Sequence, residues 1–462
     1  MTLWESLARS GGRPSGALSD ATRVVPLADL ESGSSIAGQL EGLRERSVVV
    51  AVSDPLTAAL VMIELDGWAR RMVLCPAGTA PEHMPHVART AEADGWVSDA
   101  GGEPTSIPVA VHGKARADLQ RRSMARQARR ETEWVLLTSG TTGAPKLVLH
   151  TLASLISPFA GQPDELGGGR VWSTFYDVRR YGGLQILLRA LLGGSLVLPN
   201  AEEPVAAFLS RVAAAGVTHI SGTPSHWRKA LMSGAAETIH PVYVRLSGEI
   251  ADQGILDALR AAFPRAVVAH AFASTEAGVA FEVQDGKAGF PADRIGRSDQ
   301  GVELDVGQGT LRIRSAGNAR RYLGDVPALK DADGFVNTGD RLELRQGRYY
   351  FMGRTGGIIN VGGLKVHPEE VEAVINGHPA VRMSRVSARR NPITGAVVTA
   401  EVVLERPDRA EGEGQGDASE ALRQDILAAC RKSLAAYKVP ALIRFVPSLE
   451  LSASGKLVRR DA

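Results

Sequence analysis

The segment Thr138-Ser139-Gly140-Thr141-Thr142-Gly143-Ala144-Pro145-Lys146 is built to hold phosphate. Small residues let successive backbone N–H groups converge on phosphate oxygens, hydroxyls add donors, and Lys146 adds positive charge. It is not a Walker A loop, in which the lysine is followed by Ser or Thr, because Leu147 follows Lys146 here. An ordinary glycine-rich turn rarely carries this composition straight after an apolar run. Two further charged groups stand out by position. Glu276, beside Thr275, is a lone carboxylate just past the apolar run Val267 to Phe272; by itself it would be a surface ion-pair acid. Lys456 ends the polar stretch Ser454-Gly455-Lys456 and by composition alone is a solvated tail lysine.

A phosphate loop needs a strand to hold it, and the flanking sequence supplies α/β alternation. Ser47 to Val52 reads as a buried strand, Pro55 to Trp68 as a helix and Arg71 to Cys75 as a second strand, while Trp134 to Leu137 feeds the loop. Ser195 to Leu198, Val217 to Ile220 and Val267 to Phe272 read as further strands, with a helix over Pro204 to Ala215. Polar clusters repeatedly follow these strands, and in parallel α/β sheets ligands gather at such strand ends. His112 to Arg130, rich in Lys and Arg, reads as a solvated helix or linker in preference to an anion patch.

The character changes near Gly353. Gly307 to Tyr350 reads as short strands with glycine turns. Beyond Gly353, Pro368 to Ile375 opens on proline and acids and closes near Gly377, and Leu422 to Ala436 sets Leu422, Ile426, Cys430 and Leu434 on one stripe; both read as helices. Strands are expected over Arg382 to Val386, Ala396 to Leu404 and Leu442 to Val446, with a surface loop over Glu405 to Glu420. The expected fold class is α/β: a large N-terminal domain of layered sheets and helices over 1–353, then a small α+β domain over 354–462.

Composition narrows the function classes. The 462 residues are 44% hydrophobic and 23% charged, which suits packed domains and not a disordered chain. Net charge is +2, which gives no case for nucleic-acid binding through phosphate neutralisation. The two cysteines, Cys75 and Cys430, make no disulfide framework and no metal-ligand spacing. The first residues lack a secretory pattern, and no apolar run reaches the ~20 residues that span a bilayer. A cytoplasmic protein without a membrane span is expected.

In chain order, several motifs now resemble one family, the adenylate-forming superfamily of acyl- and aryl-CoA synthetases, peptide-synthetase adenylation domains and luciferases. The loop from Thr138 to Lys146 is similar to its signature loop. Ser247-Gly248-Glu249 resembles the adenine-side motif, and Phe272-Ala273-Ser274-Thr275-Glu276 the aromatic-Gly-x-Thr-Glu motif. Thr338-Gly339-Asp340 resembles the ribose motif. Gly353-Arg354, Gly362-Gly363 and Pro368-Glu369-Glu370-Val371-Glu372 resemble the hinge and the start of a mobile domain, and Ser454-Gly455-Lys456 the terminal lysine motif. Each alone is weak; together and in order, across residues 138 to 456, they are specific.

The resemblance implies a two-step reaction: a carboxylate attacks the α-phosphorus of ATP to give an acyl-adenylate and pyrophosphate, then a thiol displaces AMP. It implies that the small C-terminal domain rotates between the two steps. By resemblance, the loop holds the β- and γ-phosphates, Glu276 holds Mg²⁺, Phe272 stacks on adenine, Asp340 accepts ribose hydroxyls and Arg354 adds a second contact. Lys456 swings in to the carboxylate and α-phosphate, and Gly362 and Gly363 let a pantetheine arm pass. The implied cofactors are ATP, Mg²⁺ and coenzyme A or phosphopantetheine.

The pattern has departures. The hinge position is Gly356, where the family has Asp or Lys, and Asn360 stands where many members have Lys. The family's gating histidine is missing; Arg179, Arg180 or Tyr181 occupies its place, and an arginine there would pair with the substrate carboxylate or with a second acid group. Pocket residues implied by resemblance are Arg180, Tyr181, Ser221, Gly222, Thr223, Ser247 and Ala271. Asp177 stands about three residues too far from Gly193 to be an amine-binding acid, so an aryl or short to medium acyl acid is expected over an amino acid. The leading expectation is an AMP-forming acid–thiol ligase using coenzyme A, with a stand-alone enzyme loading a carrier protein in trans as the alternative. No carrier domain follows within the sequence. A non-catalytic nucleotide-binding protein would have lost Lys456, Glu276 or Asp340, and a phosphotransferase would carry Lys-Ser/Thr in the loop.

Overall fold

The computed structural model describes residues 2–9, 16–36, 38–100, 109–122, 130–138, 144–159, 169–200, 202–354, 357–361, 364–391, 395–405, 416–452 and 456–458. Among them, one eight-stranded sheet runs in the order Gly278–Val283, Val267–Ser274, Tyr243–Ser247, His219–Gly222, Arg170–Thr174, Gly194–Val197, Ala17–Ser19, Val24–Pro26. Its interior strands are parallel and its two edge strands antiparallel to their neighbours. A seven-stranded sheet runs Arg321–Leu323, Lys146–Thr151, Glu133–Thr138, Arg71–Leu74, Ser47–Ala51, Gly95–Ser98, Val111–Lys114.

The two sheets share a core because their strands alternate. Val48 and Val50 point into one apolar cluster together with Leu184, Leu187 and Leu196, while Val49 points into the other, with Val73 and Val87. The helices Pro55–Leu65 and Tyr181–Gly193 contribute to the shared cluster between the sheets. Pro55–Leu65 is apolar nearly all round, as a helix covered on every side must be, and every residue from Leu56 to Leu65 is buried. Asp54 caps it by accepting from the Thr57 N–H at 2.8 Å, and Pro55 opens it where no N–H is needed.

A third, antiparallel six-stranded sheet includes Val302–Gly307, Thr310–Ser315, Val336–Arg345 and Arg348–Arg354. Beyond it, Val381–Asn391, Gly395–Leu404 and Leu442–Phe445 form a small sheet covered by the helices Pro368–Asn376 and Gly416–Ser433. Their apolar cluster draws only on residues from Ile359 onward, so this segment has its own core. Ile426 and Cys430 lie fully inside it, as the helical stripe predicts, and both cysteines are buried and free. No helix among the described residues is long and apolar enough to cross a membrane.

Two expectations change. Within His112 to Arg130 the described residues form the strand Val111–Lys114 and the short strand Gln120–Arg121, not a helix; Val111–Lys114 finds a parallel partner in Gly95–Ser98, which overrides the exposed, charged look of the segment. Within Glu405 to Glu420, residues 406–415 lie outside the described set, and Gly416 to Glu420 are the first turn of a helix.

Candidate active site

The hairpin closing the phosphate loop is the first part of the site. Thr138 and Lys146 are register partners across the antiparallel strands Glu133–Thr138 and Lys146–Thr151. Ser139, Gly140, Thr141, Thr142 and Gly143 lie outside the described residues. The Lys146 ammonium sits 5.3 Å from the centroid of the Tyr322 ring, and the Tyr322 hydroxyl donates to Glu276 Oε1 at 3.4 Å. The loop's cation and the expected metal-binding carboxylate therefore meet through one tyrosine, from the short strand Arg321–Leu323.

The Thr275–Glu276 turn is fastened from below. His150 Nε2 stands 2.7 Å from the Thr275 carbonyl; a carbonyl only accepts, so Nε2 carries the proton. Its Nδ1 lies 3.0 Å from Ser154 Oγ. Burial lowers the His150 pKa to about 4, which keeps the ring neutral. On the other side, the Ala319 N–H donates to the Glu276 carbonyl at 2.9 Å. His150 was missed because its one sequence signal, a lone histidine in an apolar strand, does not point to a turn 125 residues away.

The second part lies at the ends of the parallel strands. Gly248 has φ +87°, a conformation that disfavours side chains, and a Cβ there would lie 3.5 Å from Lys456 Cε. Lys456 comes from the small C-terminal segment; its residue surface is exposed, yet the end of its stem packs against Gly248. Lost hydration lowers its pKa, Arg354 and Arg180 act the same way, and Glu249 and Asp340 oppose them. Glu249 ties the two segments: Oε1 accepts from the Leu457 N–H at 3.0 Å and Oε2 from the Ser225 N–H at 2.9 Å. Asp340 and Arg354 are partners across neighbouring strands, with Arg354 Nε donating to Asp340 Oδ1 at 3.1 Å. Asp340 Oδ2 is buried with no partner among the described residues. Phe272 stacks on Phe351, centroids 5.2 Å apart, and on Phe281 at 5.9 Å, so much of its ring is committed to an aromatic row. Ala273 follows it in the strand, and Ser274 Oγ accepts from the Ala277 N–H at 3.0 Å.

The third part surrounds the start of the helix Tyr181–Gly193. Of the three residues standing at the missing histidine, Arg179 is committed to structure: it pairs with Asp177 at 2.7 Å and donates to the backbone carbonyls of Val52 and Ser53. That pairing also occupies Asp177. Arg180 precedes the helix, and its Nε is buried with no partner among the described residues; burial lowers its pKa, and Asp177 opposes this. Tyr181 is buried beside it. Ser221 and Gly222 end the strand His219–Gly222, and Ala271 lies in Val267–Ser274. Thr223 caps the helix Pro224–Met232, its Oγ accepting from the His226 N–H at 3.1 Å. Gly356, Gly362 and Gly363 lie outside the described residues.

His226 gives the site a pH dependence. Its Nδ1 accepts from the Thr223 N–H at 3.2 Å, its ring stacks on Phe175 at 5.4 Å, and burial pushes its pKa down to about 3, with Lys229 acting the same way. The unfolded chain protonates this histidine near its ordinary 6.5, so below that pH the folded state binds fewer protons and loses stability as acid is added, by up to ~1.4 kcal/mol per pH unit. His150 and His219, both lowered to about 4, act in the same direction. Asp66, raised to about 6 by burial, acts in the opposite one. Urea melts of His226→Gln between pH 7 and 4 should show a flatter loss of stability with acid than the parent protein.

Fold and site together describe a nucleotide-binding α/β enzyme fold with a small C-terminal segment docked over its strand ends. Residues 42–323 match the AMP-binding enzyme family and residues 370–456 its C-terminal domain. The chain belongs to that family, within the adenylate-forming superfamily. It is 31% identical over 265 residues to the 2-succinylbenzoate–CoA ligase of Salmonella typhimurium, a match spanning 54% of this chain and 53% of that relative. It is 28% identical over 403 residues to the same-named ligase of Geobacillus kaustophilus, spanning 81% of this chain and 76% of the relative. Among solved structures, the anthranilate CoA ligase AuaEII in complex with anthranoyl-AMP matches with a TM-score of 0.77 at 20% identity, covering 99% of this chain and 95% of that one. ATP-bound MatB from Rhodopseudomonas palustris matches with a TM-score of 0.78 at 19% identity, covering 98% and 96%.

Proposed function

We propose that this chain is an ATP-dependent acid–thiol ligase. A carboxylate oxygen of the substrate attacks the α-phosphorus, the bond to the β-phosphate bridging oxygen breaks, and pyrophosphate leaves. A thiol sulfur then attacks the acyl carbon, the acyl–oxygen bond breaks, AMP departs with that oxygen and the thiol proton goes to solvent. The observation carrying this reading is Lys456, brought from the C-terminal segment to Gly248, where Arg354, Glu249, Asp340 and Arg180 all act on its charge. A cation held there is placed for charge developing between an acid and an α-phosphate.

The other roles follow from what each group has left to offer. Asp340 Oδ2, buried with no partner among the described residues, is a ready acceptor for a ribose hydroxyl. Arg354, whose pKa the neighbouring Asp340 carboxylate raises, remains cationic beside it. Lys146 and the loop that it closes hold the outer phosphates. Among the described residues, no group of three or more His, Cys, Asp or Glu side chains is placed to hold a metal. Mg²⁺ takes one or two carboxylates plus substrate phosphates and waters; Glu276 is the carboxylate that would hold it, and the ion would supply charge neutralisation on the phosphates. Glu276→Ala is expected to remove Mg²⁺-dependent ATP turnover while leaving the melting temperature within a few degrees. A folded variant with normal turnover would refute the assignment.

Coenzyme A is the favoured acceptor, and a carrier protein loaded in trans is the second reading. One relative over 70% of this chain, from Mycobacterium marinum, is named a fatty acid–[acyl-carrier-protein] ligase. Arg389 and Arg390, exposed at the end of the strand Val381–Asn391, suit either a coenzyme A phosphate or an acidic carrier. The test is acid-dependent pyrophosphate release across an acid panel, followed by mass detection of thioester with coenzyme A or with a phosphopantetheinylated carrier. ADP in place of pyrophosphate, or no acid dependence, would contradict the ligase reading.

A further inference from the structure

Beside the expected pocket residues Ser221, Ser247 and Ala271, the sheet carries a charged pair that the sequence reading did not include. In the strand Tyr243–Ser247, Val244 and Leu246 point into the apolar cluster with Leu209, Trp227 and Leu256. Tyr243, Arg245 and Ser247 point the opposite way, toward the side that carries the helix Tyr181–Gly193. Register partners of parallel strands share a face, so Ser221 lies beside Arg245 and Ala271 beside Ser247. Glu282 is the antiparallel partner of Ala271 and stands on that face too. Arg245 Nε donates to Glu282 Oε2 at 3.1 Å.

This face has unused donors. Arg245 is 2% exposed and Ser221 0%, yet Arg245 Nη2 and Ser221 Oγ have no hydrogen-bond partner among the described residues. Leaving a buried donor unmade is destabilising, more so for a charged group. The two atoms belong to adjacent register partners on one face of the sheet. Tyr181 is buried at the start of the helix Tyr181–Gly193. Arg245 is two residues deeper than Ser247, roughly 7 Å down the strand. Tyr176 fixes Ser247 by donating to its carbonyl at 2.8 Å, and Lys456 stands over the adjoining Gly248.

We infer that Arg245 and Ser221 are specificity-determining residues that select an acid carrying a second, uncharged oxygen acceptor, such as a hydroxyl or carbonyl oxygen, remote from its carboxylate. This rests on the ligase reading and deepens it by naming the substrate class. The acceptor is uncharged because Glu282 already neutralises Arg245, while Nη2 and the serine hydroxyl still lack a partner. Apolar acids of the same shape would leave both donors unpaired, the situation in which binding sites discriminate most strongly.

The test compares two shape-matched series: 4-hydroxybenzoate, 4-methylbenzoate and terephthalate, then 5-oxohexanoate, hexanoate and adipate. Pyrophosphate release gives kcat/KM for each, and calorimetry gives the affinity of the six corresponding acyl-sulfamoyl adenosines, independently of turnover. In at least one series the uncharged polar member should exceed its apolar counterpart by about 10²-fold or more. Arg245→Met/Glu282→Leu removes both members of the ion pair, avoiding the penalty of a lone buried charge, and should erase that preference with KM for ATP unchanged. Ser221→Ala, which removes an unpartnered hydroxyl and so keeps the fold, should reduce it in the same direction. A preference for the apolar or dicarboxylic member in both series, or a ranking unchanged in Ser221→Ala and in the double variant, would overturn the inference. If no acid released pyrophosphate and none of the six adenosines bound, the ligase reading would fall, and the inference with it.

Discussion

Lys456→Ala is expected to slow acyl-adenylate formation by about 10²–10³-fold, the usual cost of losing one aimed donor at a site of developing charge. The argument is positional. The lysine sits against Gly248, whose φ of +87° and lack of a side chain leave room for its stem. Lost hydration and the charges of Arg354 and Arg180 disfavour its ammonium, against Glu249 and Asp340, so it gains when further negative charge arrives. Its neighbour Leu457 is pinned through its N–H to Glu249 at 3.0 Å, which fixes the approach. Thioester formation from supplied acyl-adenylate should be spared if, as the resemblance implies, the C-terminal segment is withdrawn for that step. Parallel assays of acid-dependent pyrophosphate exchange and of thiolysis measure the two half-reactions. An unchanged first half-reaction would remove Lys456 from the chemistry.

Trp134→Ala is expected to destabilise the protein by about 3–5 kcal/mol, the range for deleting a buried tryptophan. Trp134 is fully buried in the cluster shared by the two large sheets, in the strand that leads into the phosphate loop. Its Nε1 donates to Asp66 Oδ1 at 2.9 Å, and Asp66 Oδ2 accepts from the Leu3 N–H at 2.6 Å. Removing the indole opens a cavity and takes one donor from a carboxylate that burial already holds up at about 6. The Asp66 pKa should rise further, so the variant should be penalised more at pH 7 than at pH 4, where this carboxyl is protonated. Guanidinium melts at the two pH values measure both effects. A loss of under 1 kcal/mol at pH 7 would mean that the core there collapses around the gap.

Local chemistry was the legible part of the sequence. The strand before the phosphate loop announces itself as an apolar run and the loop as a run of Gly, Ser and Thr, and Thr138 and Lys146 do close one hairpin. The helix Pro368–Asn376 carries its start in Pro368, Glu369 and Glu370. What escaped depends on register and long-range packing. Arg245 carries no motif of its own, and only its lateral pairing with Ser221 gives it a neighbour to act with. Glu249 resembles a motif residue, but its bond to Leu457 spans 208 positions. Gly416 to Glu420 looked like a loop because Gly, Asp and Ser are weak helix formers, and packing of the later Ile426 and Cys430 carries the helix through them.

The central claim is that the substrate carboxylate itself attacks the α-phosphorus. Its most direct test uses an acid labelled with heavy oxygen in both carboxylate positions, turned over with ATP and a thiol acceptor. The bridging oxygen stays with phosphorus when the thiol displaces AMP, so the AMP formed should carry one heavy oxygen and the pyrophosphate none. Heavy oxygen in pyrophosphate or inorganic phosphate, or AMP free of label while thioester accumulates, would contradict the account.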